Sequence, residues 1–116
     1  MEFNSDFRYD LKIGQVAEES LSKFLKNSKI EVKRDLKAKR TGNIFVEYHS
    51  RGKPSGISTS EEEWYCYFLS DEQFVIISSS SLKELCRKYI GTSRDVLGGD
   101  SNTSKGILLP TIDLIK

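Results

Sequence analysis

The sequence predicts an α+β domain in which a mixed central β-sheet is flanked by helices, in the order α-β-β-β-β-α-β. Apolar side chains recur at helical spacing over residues 11–26. Residues 29–35 alternate as a strand does, residues 44–49 have high β-propensity, and an aromatic run at 64–69 precedes a short turn and a second apolar run. A chain of 116 residues has room for one such domain, spanning residues 1–116.

The first half of the chain predicts a helix followed by a hairpin. The helix spans residues 11–26 and is amphipathic. Strands follow at 29–35 and 44–49, and the run Thr41-Gly42-Asn43 between them has the composition of a turn. We therefore expect these two strands to pair in antiparallel fashion about a centre near Thr41.

The second half predicts a second hairpin, a helix and a last strand. The elements are a strand at 64–69, a turn at 70–72, a strand at 73–77, a helix from Ser80 or Ser81 to Gly91, a long loop at 92–105 and a strand at 106–110. The last strand is expected at a sheet edge, because Pro110 has no N–H to donate to a neighbour.

Basic residues are concentrated in one segment of a chain that is otherwise slightly acidic. Lys and Arg number 18 against 17 Asp and Glu, which gives a formal net charge of +1. Residues 33–53 hold seven of the basic residues and only two carboxylates. Such a segment predicts a local contact with a polyanion, although a solvated surface loop would have the same composition. The candidate nucleic-acid ligands are Lys33, Lys37, Lys39, Arg40, Arg51 and Lys53.

Several classes of protein are disfavoured by the sequence. It contains no apolar stretch of about 18 residues and no signal-peptide pattern, so we expect a cytoplasmic protein with no membrane partner. Cys66 and Cys86 are too few for a disulfide framework or a four-ligand zinc site, and are expected as core thiols. The segment Gly52-Lys53-Pro54 departs from a phosphate-binding loop, so no nucleotide cofactor is expected.

Asp35 and Glu47 are the leading candidates for a metal site. In the expected hairpin they stand directly opposite each other and point to the same face. Two carboxylates so placed repel each other unless a cation lies between them. Mg²⁺ usually takes one or two carboxylates together with substrate phosphate. The alternative is a pair of solvated carboxylates, each neutralised by a neighbouring lysine.

Glu18 and His49 are further candidates. Glu18 lies at roughly 107° from the centre of the helix's apolar face, at the border of that face. From there its side chain could point toward the sheet and supply a third carboxylate to the metal site. A plain surface position is the alternative. His49 follows Glu47 by two residues and is expected on the same strand face, as a metal ligand or proton carrier. A structural or merely exposed histidine is the alternative.

Together these residues resemble the motif of the PD-(D/E)XK nuclease superfamily. Members carry a Glu on a helix, then an Asp and a Glu-x-Lys on strands of a restriction-endonuclease-like core. Glu18 fits the helical acid, Asp35 fits the Asp, and Glu47-Tyr48-His49 fits the Glu-x-Lys. His49 departs from the pattern, because members have a Lys there that helps position or activate water. Lys33, Lys37 or Lys53 could supply that charge from a neighbouring position.

Two longer runs also resemble small uncharacterised phage-encoded proteins of this superfamily. They are TGNIFVE with SRGKPSGIST over residues 41–59, and GGDSNTSKG over residues 98–106. The likeness extends over roughly residues 10–113, which is nearly the whole chain.

The resemblance implies a metal-dependent DNA nuclease, acting as a structure-specific or nonspecific endonuclease of the junction-resolvase kind. Glu18, Asp35 and Glu47 would hold Mg²⁺ or Mn²⁺, and His49 and Lys53 would contact the scissile phosphate or orient water. DNA is the implied partner, and a homodimer is compatible with the resemblance, since small members often cut two strands as dimers. A noncatalytic nucleic-acid-binding or interaction module on the same fold is the alternative, and a structural protein with a solvated basic loop is a third.

Overall fold

The computed structural model describes residues 3–115, with side chains from residue 14 onward except that of Asp100. The α-helices of this range are α1 (Phe3–Asn27), α2 (Ala38–Thr41) and α3 (Ser79–Arg87). Its strands are β1 (Ile30–Arg34), β2 (Asn43–Ser50), β3 (Lys53–Pro54), β4 (Trp64–Phe68), β5 (Phe74–Ser78), β6 (Asp95–Gly98) and β7 (Ser104–Pro110). Short 3-10 turns occupy Gly56–Ser58, Asp100–Asn102 and Thr111–Ile115.

The strands divide between two sheets, which confirms the α+β class but corrects the single central sheet. One sheet is mixed and has the order β1-β4-β5, and the other is antiparallel and has the order β3-β2-β7-β6. The expected hairpin between β1 and β2 is wrong, because β1 pairs in parallel with β4. Residues 38–41 form α2 instead of a turn, and the side chain of Ala38 in this helix is buried. The helix therefore separates β1 from β2 where a hairpin turn was expected.

The second predicted hairpin and the helix after it are confirmed. β4 and β5 pair antiparallel, with Cys66 opposite Ile76 at the middle of the ladder. The helix that follows begins at Ser79, one or two residues earlier than expected, because the Ser78 hydroxyl caps it by accepting a hydrogen bond from the Ser81 N–H at 3.1 Å. The helix ends at Arg87, before Gly91.

The end of the chain departs from the prediction in two ways. Residues 92–105 are not one long loop, because they contain β6. β7 is an interior strand between β2 and β6, so its expected edge position is wrong. Pro110 is tolerated there because it is the last residue of the strand, opposite Asn43, and Thr111 supplies the next N–H to the Gly42 carbonyl at 2.8 Å.

α1 extends away from both sheets rather than packing its apolar face on one of them. It starts at Phe3 rather than at residue 11, and Val16, Leu21 and Leu25 are 51–57% exposed. The ring of Phe24 meets Trp64 edge-on with centroids 4.8 Å apart. The described chain measures 61 × 29 × 25 Å as a result. No helix in the described range is both long and apolar enough to cross a membrane.

The core lies between the inner face of the four-stranded sheet, β4 and α3. Its fully buried side chains are Ile44, Val46, Leu82, Ile107 and Leu109. Tyr65 and Tyr67 of β4 join them, stacked with centroids 6.0 Å apart. Cys66 and Cys86 are buried free thiols, as expected, and burial raises the pKa of Cys86 to about 12.

A hydrogen bond from Tyr48 to Asp95 ties β2 to β6. The phenol donates to the Asp95 carboxylate at 2.7 Å, and that carboxylate also accepts from the Gly91 N–H at 2.9 Å. The Gly91 and Tyr48 hydrogen bonds hold the pKa of Asp95 below its usual range. The hydrogen bond to Asp95, followed by burial and the charge of Asp95, raises the pKa of Tyr48 to about 12.

We expect the contribution of Tyr48 to stability to disappear in strong alkali. A phenol whose folded-state pKa is raised stabilises the fold fully below its unfolded pKa near 10, and this stability is lost as pH rises toward 12. Tyr48→Phe should therefore lower the free energy of unfolding by about 1 kcal/mol near neutral pH. The difference from wild type, measured by urea unfolding, should shrink above pH 10. A difference that stays constant through this range would contradict the assignment.

Candidate cleft at the junction of the two sheets

A cleft of about 1060 Å³ lies where residues of the two sheets face each other. β1 and β4 contribute one wall, and β2, β6 and β7 contribute the other. Its charged lining consists of four carboxylates and three cations, which are Glu31, Asp35, Glu47, Glu62, Lys33, Arg34 and Lys37. The mixed lining distinguishes this cleft from a purely basic groove.

Strand alternation determines which side chains of β2 enter the cleft. Ile44 and Val46 are almost completely buried and face the core. Phe45 and Glu47 alternate with them, so they lie on the opposite face of the sheet and line the cleft. The core residues Val46, Tyr65 and Tyr67 line the cleft as well, so it is not confined to the outer face of the four-stranded sheet.

Asp35 is fixed in the cleft by two backbone hydrogen bonds. Its Oδ1 accepts from the Lys37 N–H at 2.9 Å, and its Oδ2 accepts from the Phe45 N–H at 3.0 Å. The second bond crosses from the end of β1 to β2, so it holds the two sheets together beside the cleft. Since each carboxylate oxygen can accept about two hydrogen bonds, each keeps a lone pair for a ligand.

Glu47 is held by the segment that follows β3. Its Oε2 accepts a hydrogen bond from the Ser55 hydroxyl at 2.9 Å. The backbone of Ser55 and the hydroxyl of Ser58 both donate to the Tyr48 carbonyl, at 3.1 and 2.8 Å. Gly56 lies so close to the Glu47 backbone that an added Cβ would overlap the carbonyl oxygen. The run Ser55-Gly56-Ile57-Ser58 is therefore the support that positions Glu47.

His49 does not share the face of Glu47, which corrects the prediction. A β-bulge separates the two residues, so Glu47 pairs with Gly106 whereas His49 pairs with the adjacent Lys105. Directly opposed residues share a face and consecutive residues alternate, so His49 lies on the other side of the sheet. His49 does not line the cleft and is not positioned to act with Glu47.

Glu18 also lies outside the cleft. It is exposed on α1, six residues before Phe24, where the helix contacts Trp64. Six residues correspond to about 9 Å of helix. Because α1 extends away from the sheets, its side chain does not join Asp35 and Glu47. The prediction that Glu18 supplies a third carboxylate beside Asp35 and Glu47 is therefore wrong.

The basic residues of the segment 33–53 are dispersed rather than gathered on one surface. Lys33 and Lys37 line the cleft together with Arg34, which pairs with Asp71. Lys33 is also paired with Glu31 at 3.0 Å. Lys39 lines a smaller neighbouring depression of about 320 Å³. The remaining candidates are exposed and line neither, and they are Arg40, Arg51 and Lys53.

Glu31 and Glu62 enter the cleft although the sequence did not single them out. Glu31 shares the β1 face of Lys33, a placement that strand alternation alone could have indicated. Glu62 arrives from a loop, where no periodic signal exists. Its Oε2 accepts from the Ser60 hydroxyl at 2.8 Å, and this bond, with a backbone N–H, holds the pKa of Glu62 below its usual range.

The cleft offers a pair of anchored carboxylates rather than a closed cage of ligands. Within residues whose side chains are described, no three His, Cys, Asp or Glu side chains are grouped closely enough to share one metal ion. Asp35 and Glu47 each keep oxygen lone pairs, which suits an ion that takes one or two protein carboxylates. These features define an α+β protein with an acidic pair in a mixed-charge cleft.

Comparison of the chain with family models, with curated proteins and with solved structures gives no match.

We expect Asp35→Ala to destabilise the fold as well as the cleft. The substitution leaves the half-buried Phe45 N–H without its acceptor, which typically costs about 1–3 kcal/mol. Asp71→Ala is the matched control, because it removes an exposed carboxylate whose pair with Arg34 contributes at most about 1 kcal/mol. Urea unfolding of the two variants should show the larger loss for Asp35→Ala. Equal losses would contradict the structural role of Asp35.

Proposed function

We propose that this protein is a divalent-metal-dependent phosphodiesterase that cuts DNA, with its reaction centre at Asp35 and Glu47. The observation that supports it most is that these two carboxylates, 12 residues apart in the sequence, line one cleft together with Lys33 and Lys37. Carboxylates beside lysines are the side chains needed to hold a hard cation next to a phosphate.

The donor set is consistent with Mg²⁺ or Mn²⁺. Four carboxylates line the cleft against three cations, so its lining would repel a polyanion in the absence of a metal ion. A divalent cation bound between Asp35 and Glu47 would remove that repulsion. When bound, the ion supplies positive charge beside the scissile phosphate and favours deprotonation of water.

The chain's own residues would position the substrate around this pair. Asp35 is held by the backbone N–H groups of Lys37 and Phe45, and Glu47 is held by Ser55, so both carboxylates are preorganised. Lys33 and Lys37 would contact phosphate oxygens and stabilise negative charge as it develops. Neither His49 nor Lys53 has a role in this proposal, because neither lines the cleft.

The restriction-endonuclease-like core and the phage origin belong to this proposal. Their support is the acidic pair and the sequence resemblance rather than the order of the strands. β1 and β2, which carry or adjoin Asp35 and Glu47, lie in different sheets. A junction-resolvase-like preference and a homodimer are likewise proposals that rest on the resemblance.

A noncatalytic nucleic-acid-binding module is the second candidate. It is favoured by the two backbone hydrogen bonds that Asp35 accepts. These bonds give Asp35 a structural role in the fold, so its presence in the cleft does not require a bound metal ion. In that case the lysines of the cleft would bind phosphate with strong salt dependence and no strand would be cut.

The test is a cleavage assay on duplex, single-stranded and branched DNA, with Mg²⁺ or Mn²⁺ and with EDTA. The proposal predicts strand scission that requires the metal and stops in EDTA. Circular dichroism of the same preparation shows whether the chain is folded. Folded protein that binds DNA but cuts none of the three substrates would support the binding module instead. Folded protein that neither binds nor cuts would contradict both functions.

A further inference from the structure

Phe45 occupies an unusual position on the wall of the cleft. It lies on the outer face of β2, directly opposite Leu108 of β7. It is partly exposed, and it lines the cleft beside Glu47. A partly exposed aromatic ring inside a charged cleft is not explained by holding a metal ion or a phosphate.

Two glycines make the space that this ring occupies. A Cβ added at Gly106 would stand 2.5 Å from the ring Cζ, and one added at Gly98 would stand 2.8 Å from the ring Cε1. The ring therefore reaches from β2 across β7 to β6 and covers backbone where two side chains would otherwise stand. Glycine weakens a strand interior, and it often marks a place where a ligand approaches the sheet closely.

The ring is also fixed relative to the acidic pair. The backbone N–H of Phe45 donates to Asp35, and Glu47 follows on the same strand face. A planar group stacked on Phe45 would thus be held beside both carboxylates. Lys33 and Lys37 line the same cleft, where they could bind a phosphate attached to that group.

We propose that the cleft accepts an unpaired nucleobase of DNA, stacked on Phe45, with its phosphate at Lys33 and Lys37. This inference rests on the proposed phosphodiesterase function and names its substrate class. Aromatic side chains bind single-stranded nucleic acid by stacking, which every base allows because every base has a π-face. A base inside a duplex has both faces covered by its neighbours, so only single-stranded or branched DNA presents a base with a free face.

The test compares two short single strands of equal length, a thymidine oligonucleotide and its base-free, abasic counterpart. Fluorescence anisotropy is measured in Ca²⁺, a hard cation that takes oxygen ligands, and a gel checks that the strands stay intact. The wild-type chain should bind the thymidine strand about 10-fold or more tightly than the abasic strand, as stacking of one base predicts. Phe45→Leu should bind the two strands equally, with unchanged affinity for the abasic strand.

Two variants separate stacking from a structural role. Phe45→Trp keeps an aromatic face and should restore the preference for the thymidine strand. Phe74→Leu is the matched control, because Phe74 is exposed on β5 outside the cleft, and it should behave as wild type. If Phe45→Leu weakens both strands equally, the ring has only a structural role and the inference fails.

A measurement on the unmodified chain covers the case in which Phe45→Leu does not fold. A single strand containing 5-iodouracil is crosslinked by ultraviolet light, and the attachment site is found by mass spectrometry. Attachment at Phe45 supports the inference, and attachment only outside the cleft overturns it.

If the wild-type chain cuts DNA but does not distinguish thymidine from abasic strands, the stacking inference fails while the proposed function stands. If neither strand binds and no DNA is cut, the proposed function fails as well.

Discussion

Glu47→Gln should reduce metal-dependent DNA cleavage by at least about 100-fold. The substitution removes one of the two anionic ligands of the proposed ion, and even residues that merely orient ligands typically contribute 10- to 100-fold. The fold should be retained, because the amide oxygen of Gln can still accept the Ser55 hydrogen bond. Cleavage rates at saturating Mg²⁺, with urea unfolding as the check on folding, measure this effect.

Glu61→Gln is the matched control for this variant. It makes the same change of charge at an exposed residue that does not line the cleft, and cleavage should stay within about 2-fold of wild type. Raising the Mg²⁺ concentration should recover part of the lost activity of Glu47→Gln if the lesion is weaker metal binding. A Glu47→Gln chain that cuts DNA at the wild-type rate would remove Glu47 from the reaction centre.

Gly56→Ala should be among the most destabilising single substitutions in the chain, at about 3 kcal/mol or more. An added Cβ would overlap the Glu47 carbonyl oxygen and stand 2.9 Å from the Glu47 carbonyl carbon, so backbone would have to move. The positive φ of +53° adds strain for any residue with a side chain. Because the moving backbone is that of Glu47, we expect cleavage to fall together with stability.

Gly52→Ala isolates the effect of the overlap. Gly52 also has a positive φ, +80°, but an added Cβ would meet nothing within 4 Å. It should therefore cost only about 1 kcal/mol, the conformational part of the effect. Urea unfolding of both variants gives the comparison. A Gly52→Ala loss as large as that of Gly56→Ala would show that the close approach to Glu47 is not what requires glycine.

Local patterns predicted the elements whose partners are close in sequence. The β4–β5 hairpin follows from two apolar runs and the polar turn between them, and α3 follows from helical spacing and a serine cap. The pairing of β1 was harder to predict, because its partner is β4, which is distant in the sequence. The paired residues Ile30 and Trp64 are 34 positions apart. No feature of residues 29–35 indicates whether this strand pairs in parallel with a distant strand or antiparallel with a nearby one.

The candidate site was predicted in part. Asp35 and Glu47 line one cleft as the sequence suggested, but through a hydrogen bond that the Phe45 N–H of β2 donates to Asp35 rather than through a hairpin. His49 was misplaced because one extra residue at the β-bulge reverses the face of everything after it, and a period of two cannot reveal a bulge. Glu18 was misplaced because an amphipathic pattern does not show whether a helix packs on its own domain.

Mn²⁺ soaked into crystals of the wild-type chain shows whether Asp35 and Glu47 bind one divalent ion in the cleft. The anomalous signal of Mn²⁺ gives its position independently of the protein density. We expect a peak bridging the two carboxylates, at about 2.0–2.3 Å from an oxygen of each, and no such peak in Glu47→Gln crystals. Mn²⁺ bound elsewhere, with no ion at the two carboxylates, would contradict a metal site at Asp35 and Glu47.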